Sequence, residues 1–228
     1  MATILVTGAT GNLGSAIADR FAYAGHTVIG TTTGTVEKSR AADGVVLHQV
    51  NLGDERQVDE FVEWMKEQHG VPDVAVFTAG GFSMGNFETT GRKEIMDQLE
   101  LNFMTTYLPA RKILTEMIAA GRGQIFLTAA AGAMDMSQAT DRIGYGLSKS
   151  LVFRLGEMIN AAGKGRGVSS LVLAPAIIDT PQNRKAMPTA DFNTWTRPGD
   201  IADAVMAVCS GEDMQAVNGV LQFLLRSV

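Results

Sequence analysis

Tyr145 and Lys149 are the two residues whose types and spacing could carry out a reaction. Placed four positions apart, they project from the same face of a helix. A lysine ammonium near a phenol favours the phenolate and lowers the pKa of the tyrosine, so Tyr145 could donate a proton to a substrate that accepts a hydride. Alone, the pattern Y-x-x-x-K is weak, since it usually belongs to a solvated helix face. It indicates an enzyme only beside a second motif.

The segment TGATGNLG at residues 7–14 supplies that second motif. It lies between a short apolar strand and an amphipathic helix, which is the setting of a dinucleotide-binding loop rather than of a turn that merely needs glycine. The glycines allow a tight turn, a close approach of the backbone to a pyrophosphate and close helix–strand packing, and the phosphates would lie on the helix N-terminus. The residues expected to contact the cofactor here are Gly8, Thr10, Gly11, Asn12, Leu13 and Gly14.

The end of the second strand bears on the choice between NAD(H) and NADP(H). An acidic residue there would hold the ribose 2′-hydroxyl of NAD, but the chain has Thr31 and Thr32, and no acid before Glu37. Threonine hydroxyls tolerate a 2′-phosphate, and Lys38 or Arg40 could reach it. The sequence therefore favours NADP(H), with NAD(H) as the open alternative.

The elements that must position these residues alternate along the whole chain. Apolar strands are predicted at 3–7, 27–31, 45–50, 74–78, 124–128, 168–174 and 217–225, and helices at 12–24, around 58–65, and at 93–119, 143–161 and 201–208. Apolar strands separated by amphipathic helices indicate a mostly parallel sheet covered on both faces, which is a doubly wound α/β (Rossmann) fold. We expect one domain over residues 1–228.

Two loops of this predicted fold are expected to contact ligands. The irregular segment at about 176–198 should lie over the carboxyl ends of the strands as a substrate loop, because long loops in compact domains are usually functional. Asn51 and Leu52, which follow the third strand, are placed to meet the adenine. Turn formation is the alternative role for Asn51.

Composition narrows the class of protein further. A net charge of −5 over 228 residues, without a basic run, argues against nucleic acid and anionic membranes as partners. No apolar run approaches the roughly 20 residues that span a bilayer, and no signal peptide is recognised, so we expect a cytoplasmic protein with a small-molecule substrate. The lone Cys209 is predicted to be a buried small hydrophobe, and three scattered histidines predict no metal site.

With both motifs in place, the sequence resembles the short-chain dehydrogenase/reductase family over its whole length. The resemblance implies that Lys149 also binds the nicotinamide ribose. It implies that Asn102 supports a proton relay, although Asn102 could equally satisfy backbone groups within the long helix. The family commonly pairs its long helices across a twofold axis, so a homodimer or homotetramer is expected. Further cofactor contacts implied by the resemblance are Ala79, Gly80 and Gly81 after the fourth strand, and Pro175, Ile178 and Thr180 at the nicotinamide end.

Two departures from the main pattern resemble the dihydropteridine reductase branch of that family. Asn12 stands where the main branch has its second glycine, and Thr128 is followed by three alanines where a catalytic serine is usual. The same branch is indicated by AGGF at 79–82, IGYGLSK at 143–149 and DTPQNRKAMPTADFNTWT at 179–196. This resemblance predicts that Phe82 stacks against a pterin. Met187 and Trp195 are further expected substrate contacts, and an apolar lining or core is the alternative for all three.

Three functions follow from these motifs. The first is an NAD(P)H-dependent reductase of a quinonoid dihydropterin or similar conjugated acceptor, with Tyr145 as proton donor. The second is a carbonyl reductase of unknown substrate that uses Thr128 or a water in place of serine, and the third is a cofactor-binding sensor without chemistry. A serine steadies a developing oxyanion, whereas a dihydropterin takes its proton at nitrogen and needs no such serine. We therefore expect the first function, since a sensor has no need of the Tyr–Lys pair.

Overall fold

A computed structural model describes residues 1–36, 43–211 and 219–223. The strands are β1 (Thr3–Thr7), β2 (Thr27–Thr32), β3 (Val45–Gln49), β4 (Val74–Phe77), β5 (Gly123–Thr128), β6 (Val168–Pro175) and β7 (Val220–Phe223). The α-helices are α1 (Asn12–Tyr23), α2 (Glu55–His69), α3 (Arg92–Gln98), α4 (Thr105–Ala120), α5 (Ile143–Gly163), α6 (Pro181–Ala186) and α7 (Pro198–Cys209).

The described strands form one parallel sheet in the order β3-β2-β1-β4-β5-β6-β7. The chain runs outward from β1 to β3 and then returns to place β4 on the other side of β1. This reversal opens a crevice at the carboxyl ends of β1 and β4, where open α/β sheets bind their ligands. The predicted doubly wound fold is confirmed.

Strand alternation builds a hydrophobic core on each face of the sheet. On one face Leu5 and Leu127 pack with residues of α2, α4 and α5, and on the other Val6 and Phe126 pack with α1 and α7. Burying each such side chain contributes about 1.5–3 kcal/mol. Cys209 packs, half-buried, against the second of these cores, and burial raises the pKa of its thiol to about 12.

Local signals in the sequence explain where the helices begin and end. In α2 the Asp54 carboxylate accepts a hydrogen bond from the backbone N–H of Gln57, and Gly70 ends the helix at a φ of 82°. Capping of this kind satisfies backbone groups that have no partner inside the helix. Between these caps, Val58, Phe61 and Met65 turn one apolar face to the core.

The single helix expected at 93–119 is wrong in one respect. Between α3 and α4 the backbone forms a π-helical segment, Leu99–Met104, with Asn102 at its centre. The hydroxyls of Thr105 and Thr106 donate to the backbone oxygens of Leu101 and Asn102, four residues earlier. A π segment adds a residue per turn, which re-aims the side chains within it and is frequent at functional sites.

Two features of the described ranges concern partners other than a small molecule. No helix in those ranges is long and apolar enough to cross a bilayer. Nor does any group of three or more His, Cys, Asp or Glu side chains lie close enough together there to hold a metal ion.

Candidate active site

The glycine loop joins β1 to α1 at the crevice of the sheet. Gly8 has a φ of 63°, and a Cβ on it would lie 3.1 Å from the Cα of Ala79. A Cβ on Gly14 would overlap the carbonyl oxygen of Gly8 and lie 2.7 Å from Oγ1 of Thr78. Gly11 is the N-cap residue of α1 and donates its N–H to the Gly8 oxygen over 2.9 Å. The loop therefore lies tightly against the start of α1, which leaves room for a pyrophosphate at the helix N-terminus.

Thr31 and Thr32, at the end of β2, contact the glycine loop through their hydroxyl groups. The Thr31 hydroxyl accepts from the backbone N–H of Gly8 over 3.1 Å, and the hydroxyls of Thr32 and Thr10 are 3.2 Å apart. Both β2 residues are buried. Their hydroxyls are thus engaged inside the protein, and the exposed Thr33 is the first threonine of this run that is open to a ligand. Glu37, Lys38 and Arg40, which entered the cofactor prediction, lie outside the described residues.

The two residues expected at the adenine are engaged elsewhere. The side-chain oxygen of Asn51 accepts from the backbone N–H of Gly53 over 3.0 Å, which is the turn interaction named as its alternative. Leu52 is 4% exposed and packs in the first core. An apolar side chain at a strand end can either pack in the core or contact a ligand. Leu52 packs in the core.

The segment after β4 is tied to the glycine loop by threonines. The hydroxyl of Thr7 accepts from the backbone N–H groups of Thr78 and Ala79 at 3.1 and 3.3 Å, and the Thr78 hydroxyl donates to the Thr7 oxygen at 2.6 Å. The chain then continues through Gly80 and Gly81. A Cβ on Gly80 would lie 2.5 Å from Oδ1 of Asn102 and 3.4 Å from Nζ of Lys149. Asn102 and Lys149 thus both lie close to the position where Gly80 lacks a side chain.

Asn102 is fully buried at the centre of the π segment. Its Oδ1 accepts from the backbone N–H of Gly81 over 3.0 Å, and its Nδ2 donates to Oε1 of Gln98 over 3.2 Å. Of the two roles considered for Asn102, satisfying a backbone group is the one that these contacts support. The group lies outside the helix, on the turn after β4. A part in a proton relay stays a prediction.

Lys149 extends from α5 to the end of β5. Its side chain is buried, Nζ donates to the carbonyl oxygen of Thr128 over 2.8 Å, and the ring centroid of Tyr145 is 6.0 Å from Nζ. Burial lowers the pKa of the Lys149 ammonium to about 8. Because desolvation disfavours the charged form, an amine of this kind loses its proton at much lower pH than one in water.

The expected lowering of the Tyr145 pKa is wrong. Burial raises the pKa of the phenol to about 12, and the nearby charge of Arg142 offsets only part of this effect. Among the described residues none hydrogen-bonds the Tyr145 hydroxyl. The phenol therefore keeps its proton throughout the neutral range, which suits a proton donor.

Alanines follow β5 at the place where a catalytic serine is usual in the family that the sequence resembles. Ala129 is buried in the core on the α5 side of the sheet, and its neighbour Ala130 is buried as well. The hydroxyl of Thr128 is buried without a hydrogen-bond partner among the described residues. Alternation along β5 places its side chain with Phe126, on the face away from α5. Thr128 therefore does not stand where a substitute for the serine would be needed.

The three residues expected to contact substrate differ in position. Phe82 is 56% exposed, and its ring meets that of Tyr145 edge-on at 4.9 Å. Met187 is partly exposed at the end of α6. Trp195 is only 3% exposed and packs against Phe192, so it belongs to the interior of the substrate loop. The structure therefore brings Phe82 alone against Tyr145.

The segment at about 176–198, which is the predicted substrate loop, is held together by its own polar contacts. Arg184 forms a two-point ion pair with Asp179 at 2.6 and 2.8 Å, and the Thr180 hydroxyl caps α6. Pro175 is buried at the end of β6, and Ile178 is half-buried against the second core. The Thr180 hydroxyl is thus engaged inside the protein, as those of Thr31 and Thr32 are.

Two functional candidates escaped the sequence analysis. Gln182, in the first turn of α6, accepts a hydrogen bond from the side-chain nitrogen of Asn12 over 2.9 Å, which joins the substrate loop to the glycine loop. Nothing in the sequence points to this pair. Gln98 is the hydrogen-bond partner of Asn102. In the sequence, the signal for it is a polar residue one helical turn before Asn102.

Comparison with known proteins agrees with this geometry. The family model for short chain dehydrogenases matches residues 2–191, so the chain belongs to the short-chain dehydrogenase family. The protein is an NAD(P)-dependent oxidoreductase of that family. Its glycine loop and α1 N-terminus fit a dinucleotide, because a side chain at Gly14 would fill the space between loop and helix.

Relatives of known activity match nearly the whole chain at low identity. Dihydropteridine reductase of Dictyostelium discoideum is 26% identical over 223 residues, which cover 96% of this chain and 92% of the relative. The 2-(R)-hydroxypropyl-CoM dehydrogenase of Xanthobacter autotrophicus is 27% identical, with 94% and 93% covered. A 3-ketoacyl-(acyl-carrier-protein) reductase of Brucella melitensis, solved with NADH, has a TM-score of 0.80 at 22% identity over 97% of this chain and 95% of its own. That last likeness shows the fold.

Proposed function

We propose that this oxidoreductase reduces a quinonoid dihydropterin or a similar conjugated ring acceptor. The surroundings of Tyr145 carry the proposal: the exposed ring of Phe82 lies 4.9 Å from it, and buried alanines occupy the place of a serine. An exposed aromatic ring offers a planar acceptor a stacking surface. The Dictyostelium relative, a dihydropteridine reductase, supports the same reading.

Tyr145 and Lys149 have different roles in the proposed two-electron reduction. When bound, the reduced nicotinamide supplies the hydride. Tyr145 donates the proton of its hydroxyl to a nitrogen of the acceptor, which completes the transfer of a hydride and a proton. Lys149 is charged below its pKa of about 8, and its Nζ is held near the phenol by the hydrogen bond to the Thr128 oxygen. The acceptor needs no oxyanion partner, since its added electrons are spread over a conjugated ring.

We propose NADP(H) as the favoured cofactor, with NAD(H) as the alternative. The contacts would come from the glycine loop, from Ala79 to Gly81, and from Lys149 toward the nicotinamide ribose. The described end of β2 carries threonines and no carboxylate, and Thr33 is exposed there. A 2′-phosphate therefore meets no negative side chain among residues 30–36.

A homodimer or homotetramer built on α5 is the proposed assembly. Leu147, Leu151 and Met158 lie on one face of α5 and are 40%, 42% and 67% exposed. Contiguous apolar side chains of this kind on a helix mark a protein interface.

Steady-state turnover with both cofactors tests the proposed function. NADPH and NADH oxidation is followed with a quinonoid dihydropterin generated in the cuvette, beside a panel of ketones and quinones. We expect pterin-dependent turnover, and a loss of about 100-fold or more in kcat for Tyr145→Phe with dinucleotide affinity kept. Turnover of ketones with an inactive pterin would instead establish a carbonyl reductase, and binding without any turnover would establish a sensor.

A further inference from the structure

Gln98 is a buried polar residue at the last position of α3, where the π segment begins. Its Oε1 accepts the hydrogen bond from Nδ2 of Asn102. The orientation of the Asn102 amide is fixed by its other end, because Oδ1 must face the N–H of Gly81. A donor nitrogen is thereby turned toward Gln98, and the side-chain oxygen at position 98 satisfies it.

Gln98 also contacts the helix that carries Tyr145 and Lys149. A Cβ on Gly144 would lie 3.3 Å from Cγ of Gln98, so the glutamine stem lies directly against the residue before Tyr145. From there a chain of contacts runs through Asn102 to Gly81, and a Cβ on the adjacent Gly80 would meet both Asn102 and Lys149. One side chain thus touches both the π segment and the start of α5.

We infer that Gln98 is a positioning residue that fixes the Asn102 carboxamide and, through it, the Gly80–Gly81 turn against Lys149. The inference rests on the proposed function for the roles of Tyr145 and Lys149. The physical reason is the cost of a buried unpaired amide: without an acceptor at position 98, Nδ2 of the fully buried Asn102 loses its partner. Asn102 then rotates or shifts to find another partner, and the N–H of Gly81 is released.

The first test measures the turn itself, without turnover. Amide hydrogen exchange at Gly81 is compared in the wild type, Gln98→Met, Gln98→Glu and Ser170→Ala. Methionine has a similar length but no amide oxygen, whereas glutamate keeps an acceptor. Ser170→Ala is the matched control, since it removes one buried hydrogen bond, from Ser170 Oγ to the Gly156 oxygen, two helical turns beyond Lys149.

We expect exchange at Gly81 to become about 5- to 10-fold faster in Gln98→Met, which corresponds to the loss of one hydrogen bond. Exchange should stay near the wild-type rate in Gln98→Glu and in the control. In turnover, kcat should fall by about 10- to 100-fold in Gln98→Met, as misplaced site groups cause. Gln98→Glu should recover most of this loss.

The inference is overturned if Gly81 stays protected in Gln98→Met, or if kcat falls no further than in Ser170→Ala at an equal loss of thermal stability. It is also overturned if Gln98→Glu behaves like Gln98→Met. Failure of the proposed function is seen separately, as no turnover of the pterin or as full activity in Tyr145→Phe. In that event the exchange rates at Gly81 still decide whether Gln98 holds the turn.

Discussion

The Nζ atom of Lys149 lies 2.8 Å from the carbonyl oxygen of Thr128. The backbone at the end of β5 therefore fixes the position of this ammonium group, which belongs to a residue of α5. Tyr145 is farther away, with its ring centroid 6.0 Å from the same nitrogen. The position of the ammonium is therefore set by the backbone of the sheet rather than by the phenol. Substitutions along α5 that leave Lys149 in place should not move it.

We predict that activity falls as the pH rises through about 8. Burial lowers the pKa of Lys149 to about 8, so its charge is present below that value and lost above it, while the Tyr145 pKa of about 12 keeps the phenol protonated. The rate profile of kcat/KM should be level between about pH 6 and 7 and fall about tenfold per unit above the pKa. Activity that rises with pH through 8 would show that a phenolate is required instead.

Lys149→Met should make the folded protein more stable while it abolishes turnover. The folded pKa lies below the ordinary 10.5, so folding below about pH 8 must bury a charge that water would solvate. After the lost hydrogen bond to Thr128 is subtracted, the gain in unfolding free energy near neutral pH is about 2 kcal/mol. Urea unfolding measures it. The gain should shrink between pH 8 and 10.5, and a gain independent of pH would contradict the charge as its cause.

Gly14→Ala should weaken both the fold and the binding of the dinucleotide. The added methyl group overlaps the Gly8 oxygen and meets Thr78 Oγ1 at 2.7 Å, so α1 must move away from the loop. We expect a loss of about 1–3 kcal/mol in unfolding free energy. Gly199→Ala in the first turn of α7 is the control, because nothing lies within 4 Å of its added Cβ. Equal effects of both substitutions on NAD(P)H affinity would contradict the prediction.

The pair formed by Asn12 and Gln182 should slow the release of NAD(P)H. Its hydrogen bond of 2.9 Å joins the glycine loop to α6, over the side where phosphates would lie. Asn12→Ala and Gln182→Ala should each speed dissociation by about 2- to 5-fold, and the double variant should be no faster than either. Stopped-flow fluorescence of NADPH measures the rates. Strictly multiplicative effects would mean that the two side chains act independently.

The sequence predicted those parts of the site that depend on local spacing. Glycine positions in a strand–loop–helix segment, and a tyrosine and lysine one turn apart, define their own geometry, and the fold follows from alternating elements. The sequence places Leu52 and Trp195 at ligands, because an apolar residue type does not distinguish core from binding surface, and only the fold shows that both are buried. Nor can the sequence show that the Thr31 hydroxyl bonds the backbone N–H of Gly8, because the two residues lie 23 positions apart.

Other features were hidden for a different reason. The π segment at Leu99–Met104 keeps an apolar pattern close to that of a regular helix, so periodicity cannot show the added residue. The raised pKa of Tyr145 depends on burial by surrounding segments, and the spacing to Lys149 contains no information about it. Both features depend on tertiary contacts, which residue propensities and short motifs do not predict.

The contact between Asn12 and Gln182 joins residues 170 positions apart, and this separation bears on how the protein is made. During synthesis, the N-terminal part of a chain emerges and begins to fold first. A nascent chain can thus form β1, α1 and the glycine turn long before α6 has left the ribosome. Its dinucleotide site then stays open on one side, and only the later segment can cover it. NAD(P)H should accordingly stabilise the finished chain much more than an unfinished one.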